Sequence, residues 1–395
     1  MPVQLSPYGK VAVFIFLFFI FLYSSCRRIS SINPPHLVRI SIADSNLIRD
    51  SSSKLSDFIN PIRFISLERN EVANIGNIDK LLVIHDSIYV LDKSSAKSVF
   101  AFAPNGKFLG TIGNRTEYIN PNDISYNYSQ NEIQILDGGD KKVLRYSPSG
   151  AYLGYISLDF LSANYETYNA YAAFIGGHDE EDLVLTDSAG RKIRSLFPFN
   201  KVNNVRLMDP FTKVNDSTVY FREYLTDTIY KLTGDNALPA YYVDFGLKKF
   251  LIIHIDTATK IAPKVVIPPA NYMSQINFFL EGLKNIYFTF QYNGEPQFVI
   301  YNKASHSTIC YPRYLKNDIT FDDLLPFPIA SSRDTFYAII QPYSLLKSLE
   351  TNKQNLRMMD FDTQKRYMAI QELSKGLTEL SNPIIMAFTF KNKTR

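Results

Sequence analysis

The side chains best suited to bind a ligand are arginines, one glutamate and tyrosines in predicted loops. Their charges and hydroxyl groups would suit a polar ligand such as a saccharide or a peptide, and loops on a rigid scaffold usually carry binding groups. Each of them could instead be a turn-forming or solvated side chain. The candidate ligand-binding residues are Arg115, Glu117, Tyr118, Tyr168, Arg191, Arg222 and Tyr292.

The sequence shows no motif for a known catalytic or metal centre. The five histidines are scattered, and neither HExxH nor CxxC occurs. The acidic cluster HDEED (residues 178–182) lacks the ligand spacing of a calcium loop, so we predict a solvated hairpin. No G-x-S-x-G elbow or P-loop occurs. We therefore predict no catalytic residue, metal or cofactor, but carboxylate pairs for glycoside hydrolysis stay open because their separation is spatial.

Two near-copies indicate the elements that would position these side chains. They are SIYVLDKSSAKSVFAFAPNGKFLGTIG (residues 87–113) and EIQILDGGDKKVLRYSPSGAYLGYIS (residues 132–157). Each holds a strand ending in Asp, a polar turn with lysine, a second strand, a Pro-x-Gly turn and a third strand. The copies are about 45 residues apart. A period of roughly 40–50 residues with four strands is typical of propeller blades.

Strand patterns continue to the end of the chain, and we predict an all-β, six-bladed β-propeller. The ring would close by pairing residues 61–68 with residues 383–390, which removes exposed sheet edges. Other predicted elements are a link between blades at 158–169, a strand at 357–361, and helical or irregular inserts at 250–260, 344–353 and 364–376.

Propeller geometry places the blade-to-blade links and the turns between middle strands on one face. We expect the ligand-binding residues there. Three strand-ending aspartates, Asp92, Asp137 and Asp187, are expected to cap their own turns by accepting backbone N–H bonds. The predicted middle turns are residues 92–97, 137–141, 187–192, 222–226 and 291–295.

Composition excludes some classes of function. The net charge is +4, from 42 basic and 38 acidic residues, which is too balanced for a nucleic-acid-binding face. Of the two cysteines, Cys310 lies in a strand pattern and is predicted to be a buried apolar residue.

The N-terminus resembles a targeting segment. Lys10 precedes an apolar run, residues 11–23, which is too short for a comfortable membrane span and ends in Ser24, Ser25 and Cys26. This pattern resembles a bacterial lipobox with Cys26 as the lipidated residue, although Tyr23 replaces a small aliphatic residue. An uncleaved anchor is the alternative. We predict a signal peptide at 1–25, a Ser-rich linker at 26–58 with one short strand at 37–42, and the propeller at 59–395.

Several motifs together resemble a family of six-bladed, NHL-like β-propeller lipoproteins of Gram-negative gut bacteria. Besides Cys26, they are IRFISLE (62–68), NGKFLGTIG (105–113), DTIYKL (227–232), YYVDFG (241–246) and NPIIMAFTFK (382–391). The family's Gly-Pro-Gly-Glu-Tyr-type loop is replaced here by Asn-Arg-Thr-Glu-Tyr at 114–118, so a role of that loop does not carry over. The resemblance implies the fold and a lipid anchor, but no general biochemical activity.

We therefore predict a lipid-anchored binding or scaffold module for a glycan, a peptide or an outer-membrane protein partner. The alternative is a propeller hydrolase or lyase that acts on glycans or peptides. Surface-exported lipoproteins of such bacteria usually have acidic residues directly after the lipidated cysteine, and residues 27–30 contain none. We therefore favour the periplasmic side of the outer membrane over the cell surface.

Overall fold

The described residues form a closed ring of six β-sheets. The structure is a computed structural model that describes residues 37–391 except 49–51, 86, 114–116, 118–119, 177–180, 199–206, 208, 225, 251–270 and 314. The strands in chain order are β1 (Val38–Ser41), β2 (Ile59–Ser66), β3 (Lys80–Ile84), β4 (Ser87–Asp92), β5 (Ser98–Phe102), β6 (Phe108–Ile112), β7 (Pro121–Asn127), β8 (Glu132–Asp137), β9 (Lys142–Tyr146), β10 (Tyr152–Ser157), β11 (Ser162–Tyr168), β12 (Tyr171–Gly176), β13 (Glu181–Asp187), β14 (Lys192–Pro198), β15 (Phe211–Asn215), β16 (Thr218–Arg222), β17 (Thr228–Thr233), β18 (Asn236–Asp244), β19 (Ser274–Glu281), β20 (Asn285–Tyr292), β21 (Glu295–Asn302), β22 (Thr308–Pro312), β23 (Pro328–Ser332), β24 (Thr335–Ile340) and β25 (Ile384–Phe390). The helices are α1 (Pro342–Asn352) and α2 (Phe361–Leu373), with short 3-10 turns at Asp44–Asn46, Leu55–Asp57, Gly246–Lys248 and Lys353–Met358.

Each blade is a four-stranded antiparallel sheet, which confirms the predicted six-bladed β-propeller. Blades 1 to 5 are β3–β6, β7–β10, β11–β14, β15–β18 and β19–β22 in turn, and blade 6 consists of β23, β24, β25 and β2. The six first strands contact one another in sequence around the centre of the ring. Middle strands are buried on both faces, as all six residues of β8 are, because each blade is packed between two neighbours.

The ring closes as the sequence predicts. Strand β2 from the N-terminal part pairs antiparallel with β25 from the C-terminal part, with Ile65 opposite Ile385. It thereby becomes the outermost strand of blade 6. The pairing joins the two ends of the chain in one sheet, so opening the ring would break a full strand ladder.

The N-terminal segment before β2 lies along the outer edge of the ring. Strand β1 pairs in parallel with β18 and adds a fifth strand to the sheet of blade 4. The chain then reaches blade 5, where the Ile48 amide donates to the Cys310 carbonyl at 2.8 Å. We call residues 37–48 and 52–58 the N-terminal strap. The short strand predicted at 37–42 is confirmed, and Cys310 is a buried strand residue as predicted.

Strand direction defines two faces of the propeller. We call the face that carries the links between blades and the turns between second and third strands the link face. The turns between first and second strands, and between third and fourth strands, lie on the opposite face. Direction alternates along every blade because neighbouring strands within it are antiparallel.

Several predicted elements were wrong in type or position. Residues 158–169 are not a link, because β11 occupies most of them as the first strand of blade 3. Glu166 of this strand lines the central cavity, and the polar residues of the strand resemble a loop in the sequence. The predicted strand at 357–361 is wrong because a 3-10 turn and the start of α2 occupy it. The helical predictions at 344–353 and 364–376 are confirmed by α1 and α2, while residues 251–260 lie outside the described residues.

The three strand-ending aspartates do cap turns, but Asp187 does not lie in a middle turn as predicted. Asp92 accepts N–H bonds from Gly76, Asn77 and Ser95, and Asp187 accepts them from Ala189 and Arg191. Asp137 accepts one from Asp140 at 3.4 Å. Whereas Asp92 and Asp137 end the second strand of their blades, Asp187 ends β13, the third strand. The turn at 187–192 therefore lies on the opposite face, not on the link face.

Gly106 lies where blade 1 meets blade 6, and we expect Gly106→Ala to destabilise the ring. Its φ is +88°, and an added Cβ would lie 2.1 Å from the Ser66 carbonyl oxygen. The left-handed backbone and the clash together should lower the free energy of unfolding by about 2–4 kcal/mol. Gly294→Ala is the matched control, because its φ is +74° but no atom lies within 4 Å of the added Cβ. Urea denaturation of both variants tests this, and equal losses would show that contact with β2 is unimportant.

Candidate functional site

A cavity of about 70 Å³ lies at the centre of the ring. It is lined by residues from all six first strands, among them Lys80, Tyr126, Glu166, Lys213, Leu280 and Ser331. Charged residues on four of these strands form what we call the channel cluster: Lys80 on β3, Asp123 on β7, Glu166 on β11 and Lys213 on β15.

Oppositely charged groups of the channel cluster are paired with one another. The Lys80 Nζ lies 2.8 Å from Asp123 Oδ1 and 3.5 Å from Glu166 Oε2. The Lys213 Nζ lies 3.3 Å from Glu166 Oε1. The side chain of Glu166 is only 2% exposed, so both lysines share one buried carboxylate.

Hydrogen bonds complete the surroundings of Glu166 and Lys213. The Ser125 hydroxyl and the Thr167 amide donate to Glu166 Oε1. The Lys213 ammonium donates to the carbonyl oxygens of Tyr126 and Thr167, at 2.7 and 2.6 Å. Although Lys80 Nζ has no hydrogen-bond partner among the described residues, it is paired in charge with Asp123 and Glu166. The channel cluster therefore ties blades 1 to 4 together more than it offers an unpaired charge to a ligand.

Burial and pairing act against each other on the pKa values of the channel cluster. Burial alone would raise the pKa of Glu166, but Lys213 and Lys80 lower it overall, so the carboxylate is ionised. Burial raises the pKa of Asp123 to about 6 in spite of Lys80. Burial lowers the pKa of Lys213. Burial also acts to lower the pKa of Lys80, but the nearby carboxylates raise that pKa overall.

A second cavity lies on the link face between blades 3 and 4, and we call it the Arg222 cavity. Its volume is about 20 Å³. It lies beside the start of β13, the beginning of blade 4 and the turn after β16. The lining residues are Ile175, Asp182, Leu207, Pro210, Phe221, Arg222, Glu223 and Tyr224.

Arg222 is a buried cation with few partners. The residue is 5% exposed, and one guanidinium nitrogen, Nη2, donates to the Asp209 carbonyl oxygen. Its buried Nε has no hydrogen-bond partner in the part of the chain that the structure describes. Burial lowers the pKa of Arg222 to about 10, so the guanidinium stays charged at neutral pH. A buried charge with an unused donor is costly, which makes this the clearest place for a ligand acceptor.

Asp182 and Glu223 line the cavity beside this arginine, and the charge of Asp209 also acts on it. Burial, and then the charge of Asp182, raise the pKa of Glu223 to about 7. Near neutral pH, Glu223 therefore exists in both protonation states. A protonated Glu223 can donate a hydrogen bond, and an ionised one can accept. The Arg222 cavity thus combines one fixed cation and two carboxyl groups with four apolar residues, Ile175, Leu207, Pro210 and Phe221.

The raised pKa of Glu223 predicts a pH dependence of stability. The folded state holds the Glu223 proton more tightly than the unfolded state does. The resulting stabilisation is therefore full below the ordinary glutamate pKa and is lost as the pH rises through 7. We expect Glu223→Gln to lose less stability than the wild type between pH 5 and 8 in urea denaturation. Asp182→Asn should shift the wild-type loss to lower pH. Identical pH profiles for all three proteins would contradict a raised pKa.

Among the residues predicted from the sequence to bind a ligand, Arg222 lines this cavity. Arg115 and Tyr118 lie outside the described residues. Glu117 lies in the link between β6 and β7, where its Oε2 accepts a hydrogen bond from the Tyr146 hydroxyl at 3.1 Å. Tyr292 ends β20, and its hydroxyl accepts a hydrogen bond from Lys248 Nζ at 2.8 Å.

The other two predicted residues belong to turns on the opposite face. Tyr168 ends β11, is fully buried and donates its hydroxyl hydrogen bond to the Gly234 carbonyl at 2.8 Å. Arg191 is exposed and pairs with Asp187 at 2.7 Å. The structure therefore does not bring the five described candidates together in one site.

Glu166 and Glu223 lie in the link and the middle turn predicted at 158–169 and 222–226, but they were not among the seven residues predicted to bind a ligand. Asp182 and the other three residues of the channel cluster were not predicted there either. A signal for the channel cluster exists in the sequence, since Lys80 and Glu166 are charged residues inside or at the start of strand-like segments. Such residues in a propeller can point to the centre of the ring. The Arg222 cavity has no comparable signal, because Ile175, Leu207 and Arg222 meet only in the folded chain.

Two further properties concern the described residues alone. Within the described ranges, no group of three or more His, Cys, Asp or Glu side chains is placed to hold a metal ion. The described helices include none that is both long and apolar enough to cross a membrane.

Comparison of folds finds similar solved structures. A Bacteroides fragilis NCTC 9343 protein described as exported has 18% identity and a TM-score of 0.73, over 90% of this chain and 100% of that chain. A member of the DUF4221 family from Bacteroides vulgatus has 8% identity and a TM-score of 0.46, over 84% and 97%. Virginiamycin B lyase from Staphylococcus aureus has 12% identity and a TM-score of 0.39, over 70% and 81%. At these identities the first likeness supports the fold, and the other two are too low to argue from.

Sequence comparison identifies the family. No curated protein matches the chain. The family described as "Domain of unknown function (DUF4934)" matches residues 37–389, which include both the N-terminal strap and all six blades. The chain therefore belongs to the DUF4934 family.

Proposed function

We propose that this protein is an extracytoplasmic, lipid-anchored binding module that holds a polar ligand on the link face of its propeller. The observation that carries the proposal is the Arg222 cavity, where a buried guanidinium has an unused N–H group. Leaving such a donor unpaired costs free energy, and a ligand acceptor would recover it. The channel cluster offers less, because its charges already pair with one another.

Binding of a glycan or a short peptide is the direct test of this proposal. The full-length protein would be titrated calorimetrically with a panel of soluble glycan fragments and short peptides. We expect at least one class to bind, and we expect Arg222→Gln to weaken it. Arg191→Gln is the matched control, because that arginine is exposed in a turn of the opposite face. Release of reaction products that depends on Asp182 or Glu223 would favour the hydrolase or lyase alternative. No binding to any member of the panel would contradict a small-ligand module.

A scaffold for an outer-membrane protein is the second candidate function. Large apolar side chains are exposed around α1 and α2: Met358 is 83% exposed and Phe361 is 79% exposed. Exposed apolar groups that lie together suit protein contacts. Cross-linking in the native membrane, with Met358→Lys and Phe361→Lys as variants, would test this candidate. It fails if the cross-linked species do not change.

The lipid anchor in this proposal is Cys26. The 11 peptide bonds between Cys26 and Leu37 can span at most roughly 40 Å. A diacylated Cys26 would hold the protein on the periplasmic side of the outer membrane. Cys26→Ser should move the protein from the outer-membrane fraction to the soluble fraction. Unchanged fractionation, or labelling of intact cells by a surface-restricted reagent, would count against this placement.

A further inference from the structure

We infer that the Arg222 cavity recognises the C-terminal carboxylate of a peptide whose last side chain is small and apolar. This inference rests on the proposed function and adds the chemical class of the ligand. It also proposes that Asp182 and Glu223, the two acidic residues of the cavity, accept hydrogen bonds from the peptide N–H groups of that ligand.

The carboxylate is inferred from the chemistry of Arg222. A guanidinium presents its N–H groups in a planar fork that matches the two oxygens of a carboxylate. Here the fork is held in place, because Nη2 is bonded to the Asp209 carbonyl while Nε stays unpartnered among the described residues. The buried position also strengthens an ion pair at this point, because little water competes for the charge.

The walls of the cavity favour an apolar group beside that carboxylate. Ile175, Leu207 and Phe221 line it together with Pro210. Its volume of about 20 Å³ is roughly the space of one water-sized group, so it fits a methyl better than a sugar ring. A peptide that ends in alanine places a methyl and a carboxylate on the same carbon atom.

The two acidic residues distinguish this ligand from other anions. Asp182 and Glu223 line the same cavity as Arg222, and ionised carboxylates there repel a doubly charged phosphate more strongly than a singly charged carboxylate. They can accept hydrogen bonds from the N–H groups of a peptide backbone. A peptide C-terminus, with one carboxylate and the N–H groups that precede it, therefore fits the charges of Arg222, Asp182 and Glu223 better than a phosphate or a diacid does.

Matched peptides test the inference in the full-length protein. The probes are N-acetyl-Ala-Ala with a free C-terminal carboxylate and the same dipeptide as its C-terminal amide, with galacturonate and galactose as sugar probes. Titration calorimetry should show that the acid binds about 10- to 100-fold more tightly than the amide. Arg222→Gln should remove most of this preference. Arg222→Lys, which keeps the charge but loses the fork, should retain part of it, and Arg191→Gln should retain it fully.

The outcomes separate this inference from the proposed function. Equal binding of acid and amide, or a carboxylate preference that survives in a folded Arg222→Gln variant, would overturn the inference. Arg222-dependent binding of galacturonate but not of the peptide would overturn the peptide as the source of the carboxylate. In both cases, ligand binding elsewhere on the link face would leave the proposed function standing. If neither these probes nor the wider panel binds, both fail.

Discussion

Replacing Glu166 with alanine should lower the free energy of unfolding by about 3–5 kcal/mol. This carboxylate is buried between Lys80 and Lys213, at 3.5 and 3.3 Å. Among the described residues, its removal leaves the buried Lys213 ammonium with the charge of Asp216 but with no carboxylate at salt-bridge distance, and it weakens the pairing of Lys80. The loss would affect blades 1, 3 and 4 together, because the three residues belong to their first strands. We expect it as a lower denaturation midpoint in urea and a lower melting temperature.

An exposed ion pair provides the control for Glu166. Glu372 and Lys375 lie 2.5 Å apart on the protein surface, and each side chain is 70% exposed. Glu372→Ala should therefore change stability by less than about 1 kcal/mol. A double variant, Glu166→Leu with Lys213→Met, should recover part of the loss, because it removes both charges and refills the space. Equal effects of Glu166→Ala and Glu372→Ala would show that the channel cluster contributes no more than a surface pair.

The sequence predicts the blades because each blade repeats a local pattern. The order of strand, polar turn, strand and glycine turn in residues 87–113 and 132–157 depends on neighbours in the chain. The resulting strands β4–β6 and β8–β10 lie where that pattern predicts them. Ring closure is also predictable, because a closed ring requires one terminal strand to pair with the other.

Assignments that depend on pairing between strands were less accurate. The turn at Asp187 resembles the second-strand turn of Asp92, since both contain a strand-ending Asp. However, the Gly190 amide donates to the Asp187 carbonyl at 3.0 Å, just as the Gly150 amide donates to Ser147 at 2.9 Å. Both glycines thus belong to turns between third and fourth strands. Only the pairing register of β13 with β14 shows that the turn at Asp187 joins the third and fourth strands. This register places Arg191 on the opposite face.

The candidate site was likewise predictable only in part. Arg222 could be singled out from its position at the end of a strand pattern. Its burial could not, because it depends on packing against distant residues such as Ile175 and Leu207. The prediction of a link at the polar strand β11 is wrong for a related reason. Inner strands of a propeller can carry charges toward the centre of the ring, whereas sequence patterns associate charges with loops.

Removing the N-terminal strap should destabilise the propeller as strongly as a mutation of its core. Residues 26–58 were predicted as a linker, which would make a chain beginning at residue 59 as stable as one beginning at residue 37. In the structure, Ile40 and Ile42 are 0% and 4% exposed and pack in one apolar cluster with β16–β18. Leu55 and Phe58, 2% and 3% exposed, pack in the apolar cluster that includes residues of blades 5 and 6. We therefore expect the chain beginning at residue 59 to be poorly folded or to melt at a much lower temperature.

A point variant separates the packing of the strap from its chain connection. Ile40→Ala should cost about 2–5 kcal/mol, because it opens a cavity beside β18. Arg39→Ala, next to it on β1, is the matched control: its side chain is 66% exposed and pairs with Asp244 at 2.6 Å. That variant should change the free energy of unfolding by less than about 1 kcal/mol. If Ile40→Ala and the shorter chain both unfold at the wild-type urea concentration, the strap is only a tether. If both are destabilised, the strap is part of the folded ring, and only the residues before Leu37 remain to connect the ring to the proposed anchor at Cys26.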